Sequence, residues 1–397
     1  MSAAVISGDA EALAVARGLA DDFRKGAAER DAGRRLPHQE LERLSASGLL
    51  GVTVPAEFGG ADVGAGTLAE IFRLLASADA SLAQIPQSHF VYVNVLRQQG
   101  TREQQEFLFG EVLTGKRFGN AQSEAGTTHV QDIRTRLTRR PDGSYVLDGV
   151  KHYSTGALFA HWIPVLARAD DDTLQVAYVP RDVAGLTVVD DWDGMGQRTT
   201  ASGTVRLESV PVPADRVVPH HPTFQGPQLH GALAQLLHAA IDTGIAGGAL
   251  AEAVEFVRTK SRPWFEAVAE GHGTAAEDPL LIQRFGELAV RVRAAEALLT
   301  AAATAVDTAR AALTDDSAAE ASIAVAAAKV TAAEAAVETG SALFEVSGTR
   351  SALDSLGLHR HWRDARTHTL HDPVRWKVQH IGRHVLNGTR PPRHGLL

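Results

Sequence analysis

The sequence predicts an α+β protein built in three consecutive parts. These are an N-terminal helical domain over residues 1–116, a small antiparallel β-barrel or sandwich over 117–225, and an up-down helix bundle over 226–397. Three observations predict it. Apolar residues keep helical spacing as far as residue 116. Short alternating runs bounded by turn residues then take over, and beyond residue 226 the chain is helical again and very rich in alanine. At 397 residues the chain exceeds what one small core organises, so several layers are expected.

In the first part, Glu11–Lys25 and His38–Ser47 carry helical spacing, and Pro55 with Phe58-Gly59-Gly60 marks a loop. Further helices are expected over Thr67–Ala78, over Ser81–Gln99 with an interruption near Pro86, and over Thr101–Leu113. In the second part the runs Thr135–Thr138, Ser144–Leu147, Trp162–Ala167, Gln175–Val179, Leu186–Val189 and Thr204–Leu207 read as strands. Turn signals separate them: Pro141-Asp142-Gly143, Asp148-Gly149 and Asp170-Asp171-Asp172. In the third part, Ala232–Thr259, Pro279–Ala312 and Ser317–Glu345 read as long helices, with Ser317 as an N-cap. Small alanine side chains let such helices approach closely, in a bundle core or at a subunit interface.

Composition narrows the function. Apolar residues make up 44% and charged residues 22%, which excludes disordered and fibrous classes. A net charge of -8 argues against a nucleic-acid or anionic-membrane surface. Cysteine is absent, so disulfides, zinc–thiolate sites, iron–sulfur clusters and thiol nucleophiles are excluded. No stretch is apolar enough to span a bilayer, and the N-terminus lacks a basic region ahead of an apolar core. A cytoplasmic protein without membrane or nucleic-acid partners is expected.

No Rossmann fingerprint, P-loop, nucleophile elbow or H-E-x-x-H motif is present, so the chain lacks an obvious nicotinamide site of its own. Seven of the 17 histidines fall between His359 and His394. His368 and His371 would share a face if both lie on one helix. A metal would need a third ligand, and the carboxylate pattern of bundle di-metal sites is missing, so no metal is expected. An imidazole suits proton transfer near neutral pH. His359, His361, His380, His384 and His394 read as surface or interface residues.

Five segments, in order along the chain, carry a resemblance. They are Gly51–Gly60 (GVTVPAEFGG), Ser123-Glu124-Ala125-Gly126, Gly149–Thr155 (GVKHYST), Gly194–Arg198 continuing to Pro213, and Arg363-Asp364-Ala365-Arg366. Together they resemble the acyl-CoA dehydrogenase superfamily over nearly the whole chain, which implies that family's fold and a bound flavin. The departures matter as much. Where the dehydrogenases carry the glutamate base, this chain has Leu370-His371-Asp372-Pro373, and the alternative base position in Gln235-Leu236-Leu237-His238 has no glutamate. An aspartate is one methylene shorter, and proton abstraction is sensitive to such displacement.

Tyr153–Leu158, Thr367–Pro373 and the segment from Trp376 to Gly395 resemble instead the flavin-dependent monooxygenase branch, that of dibenzothiophene monooxygenases and sulfur-acquisition oxidoreductases. This resemblance implies an enzyme that takes reduced FMN from a separate flavin reductase. Through a C4a-(hydro)peroxyflavin formed with O2, it would oxygenate an organosulfur or similar small apolar compound. His371 is then the proton donor or peroxide stabiliser, and His368 assists. His89 resembles a third active-site histidine, or else is a polar residue on a helix surface. Asn120 would hold the peroxide or flavin edge, or else is a loop residue. Ser154 would hydrogen-bond near flavin N5, or else is a buried strand serine. Ser123, Tyr153 and Thr155 match flavin-contacting positions, and Trp192 and Ser202 the lining of the flavin and phosphate region. Arg262 resembles an arginine that pairs with flavin phosphate across a subunit boundary; otherwise it is solvated. The superfamily implies a homo-oligomer, a tetramer above all. Two alternatives stay open: an FAD-dependent acyl-CoA dehydrogenase with Asp372 as base, and a non-catalytic scaffold that retains the fold.

Overall fold

A computed structural model describes residues 3–397 and begins with helices: α1 (Asp9–Arg24), α2 (Ala27–Ala32), α3 (His38–Ala46), α4 (Ala65–Ala78), α5 (Ala80–Gln84), α6 (Gln87–Gln99) and α7 (Arg102–Leu113). Asp79 starts α5, its carboxylate accepting from the backbone N–H groups of Ser81 and Leu82. Pro86 separates α5 from α6, where the sequence places the interruption. Thr101 and Gln104 form a reciprocal capping box on α7. The short α2 lacks a periodic signal. It is held by Arg30, buried and ion-paired with Glu40 at 3.2 Å and Asp79 at 2.9 Å.

The middle of the chain forms β1 (Arg136–Arg139), β2 (Tyr145–Lys151), β3 (Trp162–Ala169), β4 (Leu174–Pro180), β5 (Leu186–Val189), β6 (Thr204–Val212) and β7 (Val217–Pro219). They make one seven-stranded sheet in the order β5-β6-β2-β1-β3-β4-β7. The small, mainly antiparallel β domain expected from the sequence is present, with two further details. The sheet is single, and β1 pairs parallel with β3, Arg136 opposite Arg168. The hairpin from β1 to β2 uses one edge of β1, and β3 takes the other edge in the same direction. Leu137, Leu147, Ile163, Val165, Val205 and Leu207 form the core on this sheet.

The C-terminal part holds α8 (His230–Thr259), α9 (Phe265–Ala269), α10 (Pro279–Ala311), α11 (Asp315–Ser347), α12 (His359–His368) and α13 (Val374–Asn387). Helix α8 packs on α11 from the bundle and on α4 from the N-terminal part, and one apolar cluster spans both. Two expectations are corrected. Helix α11 is capped by Thr314, whose hydroxyl accepts from the backbone N–H of Ser317 at 3.1 Å, so Ser317 completes the first turn instead of opening it. Helix α12 ends at His368, so His371 lies beyond it and shares no helical face with His368. Among the described residues, no helix is long and apolar enough to cross a membrane.

Candidate active site

The segment after β2 turns sharply, with Tyr153 at φ 54° and Gly156 at φ 77°. A side chain at Gly156 would meet the carbonyl oxygen of Ile85 at 2.9 Å, so the turn packs against the end of α5. Ser154 and Thr155 are buried in this turn. The Ser154 N–H donates to the Gly203 carbonyl at 3.0 Å. The hydroxyls of Thr155 and Ser202 lie 2.7 Å apart, and those of Ser202 and Thr200 2.8 Å apart. Thr200 Oγ1 and the Trp192 indole N–H both donate to the Gln197 carbonyl, each at 3.0 Å. The Trp192 ring stands edge-on to Tyr153, with centroids 6.4 Å apart. The Ser123 carbonyl accepts from the N–H of His152 at 2.9 Å. Thus Ser123, Tyr153, Ser154, Thr155, Trp192 and Ser202 converge on one surface.

Ser154 Oγ is buried there without any protein partner. Leaving a buried hydroxyl unpaired costs ~1–3 kcal/mol, so this atom fits a polar group from outside the chain. The hydroxyl chain beside it offers further donors and acceptors of the kind a flavin and its phosphate require.

Glu124, next to Ser123, anchors the loop. Its carboxylate pairs with the buried Lys151 at 2.7 Å and accepts from the Thr135 hydroxyl, also at 2.7 Å. Asn120 sits between two bridges that tie its strand-like segment to β3, Phe118 to Trp162 and Ala121 to Val165. Its Oδ1 lies 3.5 Å from the Tyr92 hydroxyl, which donates to it.

A second cluster is built where α5, α8, α11, α12 and α13 meet. The Lys329 ammonium and the Asp242 carboxylate, both fully buried, pair at 2.7 Å. The other Asp242 oxygen lies 2.6 Å from His368 Nδ1. His368 Nε2 is 3.1 Å from both His238 Nδ1 and Gln84 Oε1. The His238 ring lies against that of His371, with centroids 4.0 Å apart and planes 33° apart. His371 Nδ1 reaches Asp372 Oδ1 at 3.3 Å, and Lys377 pairs with the other Asp372 oxygen at 2.6 Å. Burial lowers the His368 and His238 imidazoles below the usual value; at His368 the Asp242 charge opposes this only in part.

The two clusters are keyed together. Asp364 on α12 accepts the Gln197 backbone N–H at 2.5 Å, and Arg363 donates to the Met195 carbonyl at 2.6 Å while pairing with Asp31. A Cβ at Gly196 would sit 2.1 Å from the Arg363 carbonyl oxygen, so only glycine allows this approach. The helix that ends in His368 is thereby locked to the loop that carries Trp192 and leads to Ser202.

Two residues, His89 and Asp372, sit differently from expectation, whereas Arg262 is exposed, as its solvated reading has it. His89 is buried instead of lying on a helix surface, and the backbone occupies both ring nitrogens: Nε2–H donates to the Leu50 carbonyl at 3.0 Å and Nδ1 accepts from the Phe118 N–H at 3.1 Å. Burial lowers its imidazole to about 4. No ring nitrogen is left for a substrate in this arrangement. Arg262 is exposed beyond the end of α8, where the hydroxyl of the neighbouring Ser261 donates to the Ser347 carbonyl at the end of α11. Asp372 is committed to Lys377 and His371. Burial alone would raise its carboxyl, but the His371 hydrogen bond and the Lys329 and Lys377 charges hold it well below the usual range. A carboxylate so held is a poor base, which weakens the dehydrogenase alternative.

Sequence reasoning missed Gln84, Asp242, Lys329 and Lys377, and it read His238 only as a missing glutamate. The usable signal was a lone Asp242 and a lone Lys329 within otherwise apolar or alanine-rich stretches of two long helices. Buried charges persist only when paired.

Three family models match the chain in order. They are the acyl-CoA dehydrogenase N-terminal domain over residues 10–116, the middle domain over 119–210 and the C-terminal domain over 236–376. The dibenzothiophene monooxygenase of Rhodococcus erythropolis is 37% identical over 399 residues, covering 96% of this chain and 95% of its own. The probable FMNH2-dependent monooxygenase SfnC of Pseudomonas putida is 32% identical, with 98% of each chain covered. Among solved structures, the complex of TdsC from Paenibacillus sp. A11-2 with FMN and indole superposes with a TM-score of 0.91 at 34% identity, covering 97% of this chain and 99% of that one. With all three domains matched and such relatives spanning nearly its whole length, the chain belongs to the acyl-CoA dehydrogenase family, in its branch of flavin-dependent monooxygenases.

Proposed function

We propose that this enzyme uses FMN, delivered reduced by a separate flavin reductase, and O2 to oxygenate a small apolar organosulfur compound. The observation that carries the reading is the unpartnered, buried Ser154 hydroxyl. It lies beside the Thr155–Ser202–Thr200 chain, which is locked through Gln197 and Asp364 to the helix bearing His368. Bound in its reduced form, FMN supplies the two electrons that take one atom of O2 to water while the other goes to sulfur.

The chain's own residues bind, orient and move protons. Ser154, with Ser123, Tyr153, Thr155, Trp192 and Ser202, would hold the flavin, and Asn120 would hydrogen-bond at its edge. His371 would exchange the proton at Nε2, since its Nδ1 is turned to Asp372. Its side chain is 41% exposed, open enough to meet a ligand, whereas His368 is sealed behind it. Arg262 would pair with the flavin phosphate of a neighbouring subunit in a homotetramer. Exposed apolar residues on α10 and α13, among them Leu280, Val290, Val385 and Leu386, are available for such contacts.

The test supplies the purified protein with reduced FMN, O2 and dibenzothiophene or a smaller sulfide. A sulfoxide or sulfone is the expected product. Release of free hydrogen peroxide alone across a panel of sulfur compounds would overturn the reading. Tight FAD binding, with anaerobic bleaching by an acyl-CoA, would restore the dehydrogenase alternative.

A further inference from the structure

The strongest arrangement left unused by the proposed reaction lies behind His371, inside the bundle. We propose that Asp242, backed by Lys329, is a positioning residue that fixes the proton of His368 on Nδ1 and, through His238, sets the ring of His371. The inference rests on the proton role proposed for His371.

The geometry runs in one line. A carboxylate only accepts hydrogen bonds, so at 2.6 Å the Asp242 oxygen requires a proton on His368 Nδ1. The second Asp242 oxygen is taken by Lys329 at 2.7 Å, so the carboxylate cannot swing away. A neutral His368 then presents a lone pair at Nε2, which accepts from His238 Nδ1–H across 3.1 Å. Gln84 Oε1 lies at the same distance from that nitrogen, and a lone pair there requires the amide turned so that its N–H2 and not its oxygen faces the ring, sharing with His238 the one lone pair of Nε2. His238, with its Nδ1 so engaged, packs against His371 with ring centroids 4.0 Å apart and planes tilted by 33°. On the far side of His371, Asp372 and Lys377 form a second buried ion pair. Three imidazoles are thus held between two neutral pairs, and only His371 is open to a ligand.

Stability alone does not call for this arrangement. Taking an ion pair out of water costs several kcal/mol per ion, and an apolar pair of similar volume is often as stable or more so. Helix α11 is rich in alanine around Lys329, so apolar packing there is available. What the pair supplies that apolar packing cannot is a fixed tautomer.

Imidazole nitrogen chemical shifts of the full-length protein without flavin test this directly. In the wild type His368 is predicted as the Nδ1–H tautomer, and a dominant Nε2–H form would overturn the proposal before any variant is made. Asp242→Asn leaves Lys329 unpaired and can fail to fold, so the informative variant is Asp242→Asn with Lys329→Met. Once folded, it is expected to show mixed His368 tautomers and a shifted pH profile. Its kcat should fall at least about tenfold with KM for the sulfide unchanged, part of the ~10²–10⁴-fold that general acid–base catalysis contributes. A folded double variant with wild-type His368 shifts and wild-type turnover would overturn it. A His371→Asn variant that turns over normally would instead remove the role given to His371, and the His368 shifts would still judge Asp242.

Discussion

At the scale of single residues, burial decides what each histidine can do. His371 is half open while His368 is sealed, so the outer ring is the one that can meet a substrate. Replacing His371 with Asn is expected to cut oxygenated product by about 10²–10⁴-fold while reduced FMN is still consumed, the oxygen then leaving as peroxide. Product and peroxide measured together check this. Ser154→Ala removes a hydroxyl that has no partner in the protein, so folding should be unharmed. Affinity for FMN should drop by about 1 kcal/mol, roughly fivefold, the worth of an ordinary hydrogen bond. A fluorescence titration with FMN reads it, and unchanged affinity would separate Ser154 from the flavin. His89→Leu is a different case. It strands the Leu50 carbonyl and the Phe118 N–H in the interior, at a cost of ~1–3 kcal/mol for each group. The expected outcome is a lower Tm with normal turnover per folded molecule. An unchanged Tm with lost turnover would return His89 to the chemistry.

At the scale of elements, helix α12 is the part that joins the bundle to the loop carrying Trp192 and Gln197, and its docking carries a pH signature. Burial, with Asp31 nearby, pushes the Asp364 carboxyl up to about 7. The folded chain therefore keeps this proton over a range in which the unfolded chain, with an ordinary aspartate near 4, has released it. Stability must fall as pH rises through that window. Asp364→Asn keeps an oxygen to accept the Gln197 N–H and removes the titration. The variant should melt above the wild type near pH 8 and level with it near pH 4. An equal difference at both pH values would contradict this. The long elements were legible in the sequence because periodicity and breakers act locally: Pro86 splits α5 from α6, and the alanine-rich runs became α8, α10 and α11. The parallel pairing of β1 with β3 was not, because it depends on which edge remains free once a hairpin has closed. The end of α12 between His368 and His371 was not either, since it turns on packing.

At the scale of the whole molecule, the site is a meeting of three regions distant in sequence, and this governs what could be read in advance. Ser123, Ser154, Thr155 and Ser202 came from the motifs, because they sit in short loop segments whose residue order is readable locally. Asp242 and Lys329 lie 87 residues apart on different helices and have meaning only once α8 and α11 pack. Arg262 belongs to the same scale. It is exposed in a single chain, and pairing with flavin phosphate across a subunit boundary predicts that Arg262→Ala weakens FMN binding in the assembled oligomer. The test is FMN affinity measured alongside mass in solution, and a monomer that binds FMN normally would contradict the shared site. Oxygen transfer from O2 to sulfur is the central step proposed for this enzyme. A single turnover with reduced FMN, dibenzothiophene and isotopically labelled O2 should place label from O2 in the sulfur product in step with flavin consumed. Product oxygen drawn from water, or labelled peroxide with the sulfide untouched, would contradict it.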